Sequence, residues 1–600
     1  MREIIRRFEQ LLWEENIPTK EYSQELYQAL EPAGACDMWY WKDIDYSDQT
    51  WSFWCARQHF DRIISILKGF GKSHLSEDGV YTKKMIGALS YWLVNDFENP
   101  NWWHNHIGMP ESIGNIAIMM NSVLDKETLS RAATLVSKGS MAQNERIAEK
   151  WTGANLMWGA LNTIRHALLT EDESLLRRAA ARISDEITVG MKEGIQEDYS
   201  FFQHGPRLYS GGYGRSFLCD ISKTLFLLSG TKYQLPREKT DIILSYLLEG
   251  VRPMVQGHGL DWSCVGRELT RPNALSVGPI KTAVELLLRT AELPRKPELQ
   301  IFLESMQGGT QPTLTKYFDQ AFMLCHHFNG IYVGAKFLND RVWGAEICNR
   351  EGELCYNMSY GTQTCIMKSG NEYFNINPVW DYSRIPGTTA LIETDEQLLA
   401  RKDWTKRPLP NQCFGGKQQG RRAVIYELAE HDGIKMPVAD FAFEDGFVCL
   451  GVETERQGVA VAEFVSTVDQ CLAHGDTLVE GNSILHNGIR YTALQDTHIK
   501  AAVERKHGSW KRNNAALSDE AVSAEVLTLS IEHSKKNKCE YAYIISSTDT
   551  PMPQVEVLRN DCALQAIRLP DGSVMAVFHQ SETLTAADKE FTCDAGTILC

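Results

Sequence analysis

The apolar pattern of this chain changes period once, and that change constrains the fold more than any other feature. Up to about residue 325, apolar side chains recur every three or four positions, as in 156–169, 175–187, 217–228, 242–248 and 280–293. That spacing lines them along one face of a helix. Gly230, Pro236 and Pro253 punctuate the helical patterns. After His326-His327-Phe328-Asn329-Gly330 the runs shorten to 330–334, 364–368, 423–426 and 447–451, and Gly, Asn and Asp bound them. Runs of this kind read as strands. A further β-rich segment begins near 500, after the charged stretch 500–511. A chain of 600 residues exceeds one ordinary core, so two or three domains are expected. Many helices of similar length suit stacked antiparallel pairs, as in a helical toroid, and no fixed-period repeat calls for a regular solenoid.

The net charge of −16 argues against nucleic acid as a partner, but a basic cleft on an acidic body can still take an acidic substrate. No segment has the apolar length of a membrane span. Met1-Arg2-Glu3-Ile4-Ile5-Arg6-Arg7-Phe8 reads as the start of an amphipathic helix, without the apolar run and cleavage site of a secretion signal. The 15 cysteines are scattered with no Cys-x-x-Cys, which points to reduced thiols. The expected location is cytoplasmic. The alternative is a secreted protein whose signal is absent from this sequence.

Four groups of residues could carry chemistry. His204 and Tyr213 lie nine residues apart in Gln203-His204-Gly205-Pro206-Arg207-Leu208-Tyr209-Ser210-Gly211-Gly212-Tyr213-Gly214. Both side chains move protons, and glycines let a loop turn both into one cleft. A helix-connecting loop with a buried His and a packed Tyr would use the same residue types. Asn101-Trp102-Trp103 offers flat apolar faces and an amide, the requirements of a sugar groove. Eleven of the 15 tryptophans precede residue 330, so the helical half reads as the part that handles ligand. Asn155, at a helix start, is either a cap or a cleft amide. Arg267 and Arg271, four apart, would share a helix face and could clamp one anion, or they belong to a solvated charged face.

One reaction uses Asn, His, Tyr and Arg together and calls for no metal or cofactor. Removing the proton α to a carboxylate is prohibitive unless that charge is neutralised first. Arg and Asn donors can neutralise it. A His or a deprotonated Tyr can then take C5–H of a uronate, and a phenol can protonate the departing O4. The outcome is β-elimination. An inverting hydrolase would instead need two carboxylates about 6.5–9.5 Å apart. Asp43, Asp45 and Asp198 are candidates, yet no pair sits in the His–Tyr loop. A binding protein without activity would keep Trp102 and Trp103 but has no need for Asn155, His204 and Tyr213 together.

These motifs resemble polysaccharide lyase family 8, the hyaluronate, chondroitin AC and xanthan lyases. The matching pieces are Asp43-Ile44-Asp45-Tyr46, Asn101-Trp102-Trp103 with Ile107-Gly108-x-Pro110, Thr152-Gly153-Ala154-Asn155, Gln203-His204 with Tyr209-x-Gly211-Gly212-Tyr213-Gly214, Arg267 with Arg271, Asn349-Arg350-Glu351, and Pro378-Val379-Trp380 with Ile385-Pro386-Gly387-Thr388-Thr389. Asn487-Gly488-Ile489-Arg490-Tyr491 extends the likeness more weakly. The resemblance implies an α+β multidomain fold: an incomplete α/α toroid over 1–325, an antiparallel β-sandwich over 326–500 and a small C-terminal β-domain over 501–600. It implies catalytic roles for Asn155, His204, Tyr213, Arg267 and Glu351, with Glu353 close enough to confuse the match at Glu351. It implies substrate contacts from Trp102, Trp103, Arg271 and Asn101, and an acidic polysaccharide or oligosaccharide as partner. Tyr213 is the proton donor in either family reading. The base is His204 in one and Tyr213 in the other; Tyr213 in both roles is the favoured reading, although spacing does not choose between them. Glycosaminoglycans of the hyaluronan or chondroitin type lead xanthan as expected substrates, since nothing identifies a pocket for a pyruvylated mannose. His106 stands where the family often has an acidic residue, and with His104 it makes a poor metal-ligand set.

Overall fold

The computed structural model describes residues 1–34, 37–77, 79–401, 413–458, 464–533, 538–586 and 589–600. They form two compact units. One comprises Met1–Thr188, Ser216–Ile243 and Leu286–Pro294; the other comprises Val189–Arg215, Leu244–Glu285 and Arg295–Cys600.

The first unit is helical. Arg2–Glu14 buries Ile4, Phe8, Leu11 and Leu12, the three- and four-residue spacing of an amphipathic helix. Asp125 and Asp172 cap Lys126–Ser137 and Glu173–Glu186 by accepting backbone N–H groups. Gly153–Leu169 is buried on most of its faces. Its Arg165 is 1% exposed, and the guanidinium donates to Asn115 Oδ1, Asn162 Oδ1 and Glu111 Oε1 at 2.8, 3.1 and 3.0 Å. A buried cation persists only with partners of this kind. The expected segments 156–169 and 175–187 fall in Gly153–Leu169 and Glu173–Glu186.

In the second unit the expected segment 242–248 crosses from Arg237–Ser245 into a π-helical turn, Tyr246–Val251. Beyond it lie the larger sheets, all antiparallel. One joins Leu314–Phe318, Met323–Phe328, Ile331–Lys336 and Gln363–Met367. Another joins Thr389–Leu391, Phe464–Leu472, Val522–Glu532 and Lys500–Gly508. The largest runs from Phe414–Gln419 through Arg422–His431, Ile434–Phe443, Gly446–Val452, Glu540–Ser547, Ile489–Ala493 and Ser483–His486 to Thr477–Glu480. Met323–Phe328 and Ile331–Lys336 are buried at every position, the mark of strands covered on both faces.

The expected boundaries shift. The helix-rich run ends at Ser305 and the first of the larger sheets begins at Leu314, ahead of residue 326, because Leu314–Phe318 is the hairpin partner of Met323–Phe328. The charged stretch from 500 is an exposed edge strand, paired with Val522–Glu532 from Lys500↔Ser530 to Gly508↔Val522. Lys500–Gly508, Val522–Glu532 and Glu540–Ser547 therefore belong to the central sheets and not to a separate 501–600 domain. The last sheet, which starts at Glu556–Asn560, shares its core with them. Ile567, Leu569, Met575 and Val577 pack with Val424, Phe441, Val448 and Ile544, apolar faces that water would otherwise cover.

Candidate active site

In the second unit, Phe201–Phe202 leads into a loop that turns sharply at His204 (φ 58°) and Gly205 (φ 87°). Two consecutive left-handed residues reverse the chain and present the imidazole. A Cβ on Gly205 would stand 2.9 Å from the Trp343 ring, so glycine lets the loop lie flat on that indole. The loop is tied at several points. Glu193 accepts from Gly205 N–H and Gln203 Nε2, each at 3.0 Å. Arg207 donates to the His204 carbonyl, and its guanidinium lies 4.7 Å from the centre of the Trp343 ring. Tyr213 then opens the helix Tyr213–Leu228.

The side chains of this loop converge on one guanidinium and one carboxylate. Arg267 donates through Nη2 to the Tyr213 hydroxyl at 2.9 Å and through Nη1 to Glu346 Oε2 at 2.6 Å. Glu346 Oε1 lies 2.7 Å from His204 Nδ1, and Oε2 accepts the Tyr209 hydroxyl at 2.6 Å. The Tyr209 oxygen in turn accepts Arg267 N–H at 3.1 Å. The His204 and Tyr213 rings are 4.8 Å apart. Burial alone would raise the Glu346 carboxyl, but the His204 hydrogen bond and the Arg267 charge hold it well below the usual carboxylate range. As an anion it accepts Nδ1–H and leaves Nε2 of His204 as the basic nitrogen. Burial pushes the Tyr213 phenol up to about 12, with Arg267 opposing.

Arg267 and Arg271 depart from the expected helical clamp. They lie at a 3₁₀ turn, Gly266–Thr270, and Arg271 is extended beyond it. Gly266 has φ 58°, and a Cβ there would fall 2.2 Å from the Tyr209 ring. Each arginine has its own carboxylate: Arg271 Nε donates to Glu351 Oε2 at 2.9 Å, whereas Glu351 is 3.9 Å from Arg267 Nε. Glu351 therefore anchors Arg271, and the carboxylate at His204 and Tyr209 is Glu346.

In the first unit Trp102 lies 5.2 Å from Trp151, and Trp103 meets Trp158 edge-on at 5.8 Å. The Arg57 guanidinium sits 5.2 Å from the centre of the Trp103 ring. Asn155 lies in the first turn of Gly153–Leu169, whose cap position is Thr152 and not the asparagine. Asn101 is a correction to the sequence reading. It is buried, its Nδ2 donates to the Trp51 carbonyl at 2.8 Å, and its Oδ1 accepts Trp103 N–H at 3.1 Å. Its Oδ1 and one Nδ2 hydrogen are thus engaged in building the loop. His106 Nδ1 lies 3.0 Å from the Lys138 carbonyl oxygen, while the His104 ring packs against Trp54 and Trp103. Among the described residues no group of three His, Cys, Asp or Glu side chains is placed to hold a metal.

The carboxylates considered for hydrolysis serve as ties. Asp43 takes two bonds from Arg62, Asp45 accepts Ser47 N–H, and Asp198 accepts the N–H groups of Ser200, Gln320 and Ala321.

Comparison with known proteins places the chain in a family. Residues 2–302 match polysaccharide lyase family 8, N terminal alpha-helical domain, and residues 313–551 match the family's super-sandwich domain. The chain belongs to polysaccharide lyase family 8. A chondroitinase-AC from Pedobacter heparinus is 27% identical over 94% of this chain and 83% of its own length. A xanthan lyase from Bacillus sp. (strain GL1) is 21% identical over 91% and 68%. A solved chondroitinase AC lyase structure superposes with a TM-score of 0.89 at 24% identity, covering all of this chain and 91% of the other. The Streptomyces coelicolor A3 chondroitin AC lyase in complex with chondroitin sulphate gives 0.80 at 17% identity, covering 99% and 86%. This family 8 chain is thus a lyase acting on polysaccharides, with the helical and sandwich domains expected of it.

Sequence reasoning passed over Glu346 and left Tyr209 without a role. Tyr209 stood inside the quoted motif. Glu346 had one faint signal: an isolated acid after Trp343-Gly344-Ala345, outside any strand pattern.

Proposed function

We propose that this lyase cleaves a glucuronate-containing glycosaminoglycan of the chondroitin or hyaluronan type by β-elimination. The observation that carries this reading is the Arg267–Glu346 pair, which holds an imidazole and a phenol with their ring centres 4.8 Å apart. Cationic groups neutralise the uronate carboxylate and make C5–H acidic enough to remove. Tyr213, a phenol at rest, protonates O4 as the C4–O4 bond breaks and the C4–C5 double bond forms. His204 Nε2 takes the C5 proton, since Glu346 already fixes the other nitrogen. Burial raises the Tyr213 phenol and so disfavours its ionisation in the substrate-free site. A second reading has Tyr213 in both roles. The guanidinium N–H on its oxygen favours it, because that contact stabilises a phenolate. The likeness to chondroitinase-AC and to hyaluronate lyases supports the substrate class.

The test is ultraviolet absorbance of the conjugated product with hyaluronan, chondroitin sulphate and xanthan. We expect signal from the first two. Tyr213→Phe is expected to lower turnover about 10²–10⁴-fold with binding retained. Reducing ends without the chromophore would refute elimination, and near-normal turnover of Tyr213→Phe would refute the proton donor.

A further inference from the structure

Four aromatic side chains of the first unit stand unusually open, among them Tyr22 on the helix Lys20–Gln28 at 49%. Trp102 is 40% exposed, Trp51 47% and Phe53 51%. Trp102 belongs to the tandem pair already assigned to sugar, whereas Trp51 and Phe53 do not, and the lyase chemistry gives them no task. They sit on a loop, 48–55, that is held firmly. Asp48 Oδ1 accepts Thr50 N–H at 2.9 Å and its Oδ2 accepts Cys55 N–H at 3.0 Å. Trp54 Nε1 donates to the Asp48 carbonyl at 2.7 Å. The loop is also stitched to the strip that precedes Trp102. Asn99 Nδ2 donates to the Thr50 carbonyl at 3.1 Å, and Asn101 Nδ2 to the Trp51 carbonyl at 2.8 Å.

Phe53 has φ 56°, a left-handed conformation that strains a bulky residue and persists only where its surroundings enforce it. Two large aromatics kept in water on a rigid, strained loop are the reverse of what folding alone favours. A rigid aromatic binds at small entropic cost. Asn101, which holds the Trp51 carbonyl, directly precedes Trp102 and Trp103, and Arg57 over Trp103 brings positive charge suited to an acidic sugar. The Asp48 carboxylate is occupied by the loop's own N–H groups and so is screened from an anionic guest.

We propose that Trp51 and Phe53 form a second carbohydrate-stacking platform, which holds sugar rings of an acidic polysaccharide beyond those on Trp102 and Trp103. The inference rests on the lyase reading for its choice of ligand. Its test is calorimetric binding of chondroitin oligosaccharides to the Tyr213→Phe protein, which leaves the ligand uncleaved. Trp51→Ala and Phe53→Ala should each weaken dodecasaccharide binding about three- to tenfold, and the double change should remove most of the affinity gained between disaccharide and dodecasaccharide. Trp51→Phe, which keeps a ring, should lose less than about twofold by the same stacking argument. Circular dichroism and melting of each variant should match the parent. Unchanged dodecasaccharide affinity in both alanine variants overturns the platform, as does an equal loss for the disaccharide. Failure of the lyase reading shows elsewhere: the unmodified protein would make no unsaturated product from any of the three polymers, while the calorimetry would still report on the platform.

Discussion

At the scale of single residues, one carboxylate organises the chemistry. Glu346 touches His204, Tyr209 and Arg267 at once, so it sets an imidazole tautomer and neutralises a buried guanidinium together. Glu346→Gln keeps the shape but can offer an amide N–H to Nδ1, which would move the ring proton to Nε2 and remove the base. Turnover should fall at least about a hundredfold, as expected for an imidazole held in the wrong tautomer, with KM changing much less. Parallel steady-state kinetics and denaturant unfolding would check this. An unchanged turnover would show that the tautomer is immaterial. The pH sign is also fixed. A carboxyl lowered on folding contributes stability that is complete above its unfolded pKa of roughly 4.3 and drains away as pH falls towards the folded value. The stability gap between parent and glutamine variant should therefore narrow below about pH 4.

At the scale of elements, one strand carries the opposite sign. Asp440 lies in Ile434–Phe443, buried between Ile425 and Cys449 of the flanking strands. Burial pushes its carboxyl up to about 7, against a weaker lowering by Cys449. A carboxyl raised on folding stabilises the fold fully below its unfolded pKa, and that contribution is lost as pH rises through the folded value. Asp440→Asn has no proton to lose. Relative to the parent it should gain about 1.4 kcal/mol for each pH unit between roughly 4 and 7, then level off. Urea unfolding at pH 5, 6, 7 and 8 would measure the trend. Parallel curves for the two proteins would mean that Asp440 is not titrating in the fold.

At the scale of the whole molecule, the covalent order and the compact units do not coincide. Val189–Arg215 and Leu244–Glu285 join the β-rich remainder from Arg295, although the chain reaches them first. His204, Tyr209, Tyr213 and Arg267 therefore share a unit with Glu346 and Glu351. A cut between Ser305 and Leu314 would look harmless on a helix-and-strand diagram, yet it divides this unit. A 1–310 fragment should be inactive and should expose apolar surface, read as strong binding of a hydrophobic dye and loss of monomer in sizing. A monomeric fragment with native helicity and no dye binding would contradict the division into units.

The sequence alone determined the features written in short spans. Helical and strand periods follow from three-, four- and two-residue spacing, and the His204, Tyr213, Arg267 and Trp102 motifs are local strings. Tertiary structure alone decided the pairings between them. Glu346 meets His204 across 142 positions and Arg267 across 79, and no local pattern distinguishes it from Glu351, which went to Arg271 instead. Asn101 read as a ligand amide because residue type does not reveal that a carbonyl 50 positions away takes its N–H. Trp51 and Phe53 carry no sign of exposure in their own neighbourhood. Periodicity is a property of one element, whereas partner choice and burial are set by how distant elements pack, and packing is what the folded chain adds.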